Sequence, residues 1–341
     1  MNIQTNPAQI EKNSASFPVI TEEPIRSNFL PEERLRALGE SLAKGDIKDL
    51  FGLTPFDFQA RIATRIVWSV APHVREAELK RALRKRPDNM NAYDLVMHAI
   101  DLMYRMNFED FTQAGALLQK AIAADENYAT AHAYAALWHI HNVAQGWAND
   151  GGPDRNEAAR LAAAAVERDP ADGFALAILA HTKAFCRDYD TAANIFDRAL
   201  NAAPSNAMAW TLSSGVCSYI GDAKSAVGRA EQGIRLSPMD TQGAFYLSFL
   251  SQAHYVSGAY EEALIWARKS TTLSPRLCAN LRTHAATLVA LGQLDEARRV
   301  GTSLLQIQPR FRVSAYAERC PFEPTLRAKF IDHLQQADLP Q

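Results

Sequence analysis

The feature that most constrains this chain is a series of prolines at nearly constant spacing. Pro170, Pro204, Pro238, Pro275 and Pro309 lie 34, 34, 37 and 34 residues apart. A fixed period of this length is typical of repeat proteins, in which each supersecondary unit buries its apolar face against its neighbours. A chain of 341 residues has room for about two ordinary domains or one extended array, and the period favours the array.

Two further series keep step with the prolines. Glycines stand 17 residues before three of them, at Gly221, Gly258 and Gly292. Glycine suits a turn that needs a positive φ, and proline ends the helix before it. Small residues let two helices approach closely, and an alanine lies twelve residues before each proline, at Ala158, Ala192, Ala226, Ala263 and Ala297. The sequence therefore predicts one pair of α-helices per period.

Three segments carry a family resemblance: "RDYDTAANIFDRALNAAPSNAMAW", "GAYEEALIWARKSTTLSP" and "LGQLDEARRVGTSLLQIQP". They resemble tetratricopeptide repeats, whose period is 34 residues. The resemblance implies an all-α fold, a tetratricopeptide-type α-solenoid in which helix pairs form a right-handed superhelix, with a helical N-terminal extension. Six units are expected, at residues 90–127, 128–172, 173–206, 207–240, 244–277 and 278–311.

The first two units depart from the pattern. Units 90–127 and 128–172 have about five and about eight residues more than the period needs. In the second unit the extra residues are expected to enlarge the turn around "QGWANDGGPDRN". Trp138 stands where the pattern has a small residue, which predicts atypical packing. Residues 312–341 are predicted to form a polar C-terminal capping helix.

The segment before the repeats divides into two parts. Residues 1–26 are rich in Asn, Gln, Ser, Pro and Thr, which predicts a disordered tail, and residues 27–89 are predicted to be helical. The stretch 46–106 resembles the junction before the repeats in bacterial signalling proteins that carry a class III adenylate/guanylate cyclase domain or a winged-helix domain. In those proteins a TolB-like region leads into tetratricopeptide repeats. The resemblance implies a signalling context, with residues 27–89 as a remnant or linker of the TolB-like region.

Composition and motifs argue against several classes of function. No phosphate-binding glycine loop or strand pattern is visible before the repeats, so neither enzymatic activity nor a bound cofactor is expected. Net charge is −2, and the basic run in residues 80–86 is interpreted as a solvated helix end, so no nucleic acid is expected as a partner. His139 and His141 point to different helix faces, which disfavours a metal site. Four isolated cysteines and the lack of a long apolar run predict a cytoplasmic protein without membrane insertion.

The predicted functional surface is the concave groove. In tetratricopeptide folds the first helix of each unit lines this face, and the corresponding positions here are mostly aromatic or neutral and polar. Such a groove suits an extended or helical peptide, although Phe174, Phe185 and Phe245 are as well explained by packing between units. Tyr219, Gln252 and Tyr255 are expected at its centre. The candidate residues are His132, His139, His181, Thr211, Ser218, Tyr219, Ser248, Gln252, Tyr255 and Arg282.

The sequence thus predicts a non-catalytic protein–protein interaction scaffold of unspecified oligomeric state. A clamp for a chaperone's C-terminal carboxylate is disfavoured, because Arg282 is the only cation at the positions that such clamps use. The predicted partner is a protein or peptide in a bacterial signalling pathway. An alternative is that the chain is the C-terminal regulatory part of a split or truncated class III adenylate cyclase or transcriptional regulator.

Overall fold

The computed structural model describes residues 91–148, 151–237 and 242–341. These residues belong to the second of two compact units, Ile62–Gln341. The predicted tail at 1–26 and the whole of the predicted helical extension or linker at 27–89 lie outside the described residues.

Within the described ranges the chain forms fourteen α-helices and no strand. Their bounds are α1 Ala92–Tyr104, α2 Phe108–Ala124, α3 Ala129–Gln145, α4 Gly151–Arg168, α5 Gly173–Phe185, α6 Tyr189–Ala202, α7 Ala207–Tyr219, α8 Ala223–Leu236, α9 Gly243–Ser257, α10 Tyr260–Leu273, α11 Cys278–Ala290, α12 Leu294–Ile307, α13 Val313–Arg319 and α14 Pro324–Gln336. None of these helices is both long and apolar enough to cross a lipid bilayer.

Helices α1 to α12 are six consecutive pairs. Each first helix packs against the second helix of its own pair, and from α1 to α11 each first helix also packs against the next first helix. Pro170, Pro204, Pro275 and Pro309 lie in the turns that directly follow second helices, and Pro238 is outside the described residues. The prediction of one helix pair per period is confirmed. The described residues form an all-α solenoid of the tetratricopeptide type.

The small residues act as the period predicts. All five alanines of the series are fully buried in the second helices. Gly221, Gly258 and Gly292 have φ values of +82°, +79° and +73°, so the predicted left-handed turns are confirmed. An L-residue with a side chain is strained at such φ values, which is why glycine recurs there.

The atypical packing predicted at Trp138 has a visible cause. Its ring stacks on Phe111 at 5.0 Å between centroids, and its indole Nε1 donates a hydrogen bond to the Phe111 carbonyl oxygen at 2.7 Å. Gly115 on α2 makes the space, since a Cβ there would lie 2.8 Å from the Trp138 ring. A large residue in α3 is thus matched by a missing side chain in α2.

The extra residues of the first two units lengthen helices. Helices α3 and α4 have 17 and 18 residues, whereas α5 and α6 have 13 and 14. Helix α2 likewise has 17 residues. The predicted enlargement of the turn after α3 is therefore wrong for most of the added residues, which extend α3 at its C-terminus and α4 at its N-terminus.

The C-terminal segment differs from the single polar helix that was predicted. Two helices, α13 and α14, are separated by a bend at Phe322. The segment buries Phe322, Phe330 and Leu334 at 3% exposure or less. Helix α14 packs against α11, a first helix, and so lies on the concave side of the array.

Candidate functional site

The concave face closes on itself within the described residues. Helix α3, in the second pair, contacts α11, in the sixth. Arg282 of α11 donates from Nη2 to the carbonyl oxygen of Ala144 at 2.5 Å, and Gln145 donates from Nε2 to the carbonyl oxygen of Arg276 at 3.2 Å. These hydrogen bonds join residues more than 130 positions apart, so the groove is bounded on both sides.

Helices α13 and α14 cover this closed groove. Arg187 donates to the carbonyl oxygen of Glu318 at 2.5 Å, and the Tyr189 hydroxyl donates to that of Pro321. The backbone N–H of Glu323 donates to the carbonyl oxygen of Tyr219 at 2.8 Å. We refer to residues 312–341 as the C-terminal cover.

A cavity of about 80 Å³ lies between the first helices and the C-terminal cover. Most of its lining is aromatic or aliphatic, and its polar groups belong to histidine, tyrosine, serine, threonine, glutamine and arginine side chains. The lining residues are His141, Val143, Ala144, His181, Phe185, Tyr219, Phe245, Ser248, Phe249, Gln252, Ala279, Arg282, Thr283, Tyr316, Arg319, Pro321, Phe322 and Phe330.

Half of the predicted groove residues meet at this cavity. His181, Tyr219, Ser248, Gln252 and Arg282 all line it. Apart from Gln252 each is nearly inaccessible to solvent, with 7% or less exposed. They face the C-terminal cover of their own chain, and their role in binding a partner stays a prediction.

Tyr255 lies beside the cavity and contacts the C-terminal cover directly. Its hydroxyl is 2.8 Å from Nδ1 of His333, and its ring meets Phe330 edge-on at 5.3 Å. Tyr219 makes a similar edge-on contact with Phe322 at 5.9 Å. Both tyrosines that were expected to anchor a peptide therefore hold aromatic residues of the C-terminal cover.

The remaining four candidates lie away from the cavity. His132 is hydrogen-bonded through Nε2 to the Glu126 carbonyl oxygen at 3.0 Å, and His139 lies 2.6 Å from a carboxylate oxygen of Asp154 in its own helix pair. Thr211 and Ser218 are fully buried, and Thr211 packs against α8, where Gly233 leaves room for its side chain.

Of the three phenylalanines that the sequence explained equally well by packing between units, one packs between helices away from the cavity and two line it. Phe174 packs against Tyr134 of α3, with 4.7 Å between ring centroids. Phe185 and Phe245 line the cavity, where Phe245 contacts Phe249 at 5.0 Å.

The electrostatics of the cavity are dominated by two arginines. Burial lowers the pKa of His141 to about 4, and burial together with the neighbouring His141 lowers that of His181 to about 3. Burial also raises the pKa of Tyr219 and Tyr316, so these side chains are neutral near pH 7. Arg282 and Arg319 remain as the charged groups of the lining.

Sequence reasoning missed the contribution of the C-terminal cover. Tyr316, Arg319, Phe322 and Phe330 form one wall of the cavity. The signal that could have found them is the concentration of aromatic residues in a segment interpreted as a polar cap. Arg319 in particular adds a second cation to the groove, whereas the sequence analysis found only Arg282 there.

Comparisons with known proteins support the fold. Human IFIT1, solved as a dimer with m7Gppp-AAAA, is 14% identical and has a TM-score of 0.55, covering 90% of this chain and 73% of that one. The APC/C hetero-tetramer Cut9–Hcn1 is 12% identical with a TM-score of 0.52, covering 89% of this chain and 53% of that one. The fold is a tetratricopeptide-type solenoid. At these identities the likeness shows the fold alone.

A third solved structure, TTC0263, a TPR protein of Thermus thermophilus, is 17% identical with a TM-score of 0.41 and covers 54% of this chain and 92% of that one. No family model matches the chain, and no curated protein matches it.

Proposed function

We propose that the protein is a non-catalytic scaffold that binds a helical peptide of a protein partner in the concave groove, in place of its own C-terminal cover. The observation that supports this function is that the groove already holds a helix. Helix α14 turns Phe330 and Leu334 into the groove and leaves polar residues outside. A partner helix with an aromatic residue at the position of Phe330 would meet the same surface.

The contacts that hold α14 in the groove are ones that a helix of a partner protein could also make. Tyrosine offers a large rigid face and a polar tip with little rotamer entropy to lose, so it is a frequent anchor at interfaces. Tyr255 uses both features, since its ring contacts Phe330 while its hydroxyl bonds His333. These contacts do not depend on the interlocked alanines between helix pairs, and α14 can be replaced without unpacking the solenoid.

The pathway and location are parts of the same proposal. A bacterial signalling context, and the alternative role as a regulatory part of a class III cyclase or transcriptional regulator, rest on the resemblance of residues 46–106 alone. We place the protein in the cytoplasm with a protein or peptide partner, and with no nucleic acid or membrane partner, since net charge is −2 and the cavity wall is mostly apolar.

A peptide-exchange experiment tests the proposed function. A fluorescent peptide of residues 312–341 is titrated into the full chain and into the double variant Phe330→Ala/His333→Ala, whose own cover is weakened. In the wild type the cover is tethered to the groove by a short linker, which gives it an effective concentration in the millimolar range. A free peptide at micromolar concentration therefore cannot displace it. We expect the peptide to bind the double variant at least about tenfold more tightly than the wild type.

Two control variants give the experiment its specificity. Phe108→Ala removes an aromatic residue that is 58% exposed on α2, and it should leave peptide binding at the wild-type level. Adding Tyr255→Ala to the double variant should abolish binding. If the peptide fails to bind the folded double variant, or binds equally well without Tyr255, the groove is not a peptide-binding surface.

A further inference from the structure

We propose that the cavity between the first helices and the C-terminal cover is a binding site for a small carboxylate with a short apolar chain, held by Arg282 and Arg319. This site does not rest on the proposed binding of a partner peptide. Its ligand would sit beneath the cover, whereas the peptide would replace the cover.

Arg282 gives the strongest indication that this cavity binds an anion. Its side chain is 3% exposed, and among the described residues its Nε and Nη1 have no hydrogen-bond partner, while Nη2 donates to the Ala144 carbonyl oxygen. Its guanidinium stacks 4.6 Å from the centre of the Tyr316 ring. A buried cation is costly unless it is paired, and no carboxylate in the described ranges pairs with this one.

Arg319 adds a second unpaired cation at the same cavity. It is half-buried, and its guanidinium carbon lies 5.5 Å from the centre of the same Tyr316 ring. Its Nη1 donates to the carbonyl oxygen of Ala315 at 3.4 Å, and its Nε has no partner among the described residues. Burial and the nearby charges of Arg282 and Arg155 lower the pKa of Arg319. Two guanidinium groups that repel one another across a shared cavity are stabilised together by one oxyanion between them.

The rest of the lining gives the site a polarity suited to a carboxylate with an apolar chain. No acidic side chain is among the lining residues. The amide Nε2 of Gln252 is a buried donor without a partner in the part of the chain that the structure describes, and it can donate a hydrogen bond to the ligand. Phe245, Phe249 and Phe322 form an apolar wall for the remainder of the molecule.

The size of the cavity limits the ligand. Its volume is about 80 Å³. A cavity of about 150 Å³ holds benzene, so a space of about half that volume suits an oxyanion with a chain of about one or two carbons. Acetate and propionate are therefore the main probes, butyrate tests the size limit, and phosphate is the competing inorganic anion.

The test is isothermal titration calorimetry of the dialysed full chain at constant ionic strength. Propionate is expected to bind the wild type, and Arg282→Gln and Arg319→Gln should each weaken its binding at least about tenfold, as expected for loss of a charged hydrogen bond. Arg312→Gln changes an exposed arginine of the cover that bonds only the carbonyl oxygen of Phe311 beside it, so it should bind propionate like the wild type. Propionamide, which has the same shape without the charge, should not bind.

Three outcomes would overturn the proposal. They are the absence of binding by all three carboxylates, equal binding of propionamide, and binding of phosphate alone. Circular dichroism checks the fold of each variant, and if Arg282→Gln does not fold, the half-buried Arg319→Gln decides the result. Unchanged propionate binding by a folded Arg319→Gln variant would exclude this cavity as the site.

Discussion

Truncating Phe330 to alanine should release the C-terminal cover while leaving the solenoid folded. The side chain is 1% exposed and meets three aromatic rings, those of Phe322 at 5.2 Å, Tyr255 at 5.3 Å and Tyr316 at 6.2 Å. Truncation of a buried phenylalanine costs about 3–5 kcal/mol. A change of about 1.4 kcal/mol is a factor of ten in an equilibrium constant. The opening of the cover should therefore become at least about a hundredfold more favourable.

Amide hydrogen exchange followed by mass spectrometry measures this opening region by region. In Phe330→Ala we expect exchange in α13 and α14 to accelerate at least about a hundredfold, as far as the intrinsic rate allows. Exchange in α5 to α8 should change little, because the alanine interlock of those pairs is intact. As a control, Leu294→Ala changes a residue that is 38% exposed on α12 and should leave the cover protected. An equal loss of protection across α5 to α8 and α14 would show that the cover is part of the cooperative core and would refute this reasoning.

Three other predictions follow from the same structure. Ala263→Leu should overpack a fully buried position between α9 and α10 and cost about 1–3 kcal/mol, seen as a lower midpoint in urea unfolding. The melting temperature should fall as the pH drops from 6.5 towards 4, because burial lowers the pKa of His141 and His284 to about 4 and that of His181 to about 3, so the unfolded chain binds more protons. His141→Gln should reduce that dependence, and an unchanged pH profile would contradict the role of His141. Saturating propionate should weaken binding of a 312–341 peptide that carries Arg319→Gln to the Phe330→Ala/His333→Ala variant. The chain's own cover keeps Arg319 and so binds the ligand, whereas the docked peptide lacks this arginine. Unaltered peptide affinity would show that the two sites are not coupled.

The order and spacing of the helix pairs could be predicted because they depend on residues close together in the sequence. Each proline, glycine and alanine of the series acts within its own helix pair or on the next one, as the positive φ of Gly221 and the full burial of Ala226 show. The period therefore gives the order of helices and the face that each first helix turns inward. It also places Tyr219 and Tyr255 on that inward face.

The closure of the groove and the C-terminal cover could not be predicted in this way. They depend on contacts between distant parts of the chain, such as Arg282 with Ala144 and Arg187 with Glu318. A periodic pattern does not report the curvature of a solenoid, because small rotations between neighbouring pairs add up along the array. Nor does it report where a segment without the period will dock, so the cavity, and the presence of both Arg319 and Arg282 in its lining, are visible only in three dimensions.

The most direct test of the proposed groove is a photo-crosslinking measurement. A peptide of residues 312–341 with benzoylphenylalanine at the position of Phe330 is irradiated with the Phe330→Ala/His333→Ala variant, and the crosslinked residues are identified by mass spectrometry. Because Phe330 lies against Tyr255 in the intact chain, the peptide should crosslink to α9 near Tyr255 and to the neighbouring first helices. Crosslinks confined to second helices such as α10 or α12 would place the peptide outside the groove and contradict the proposed function.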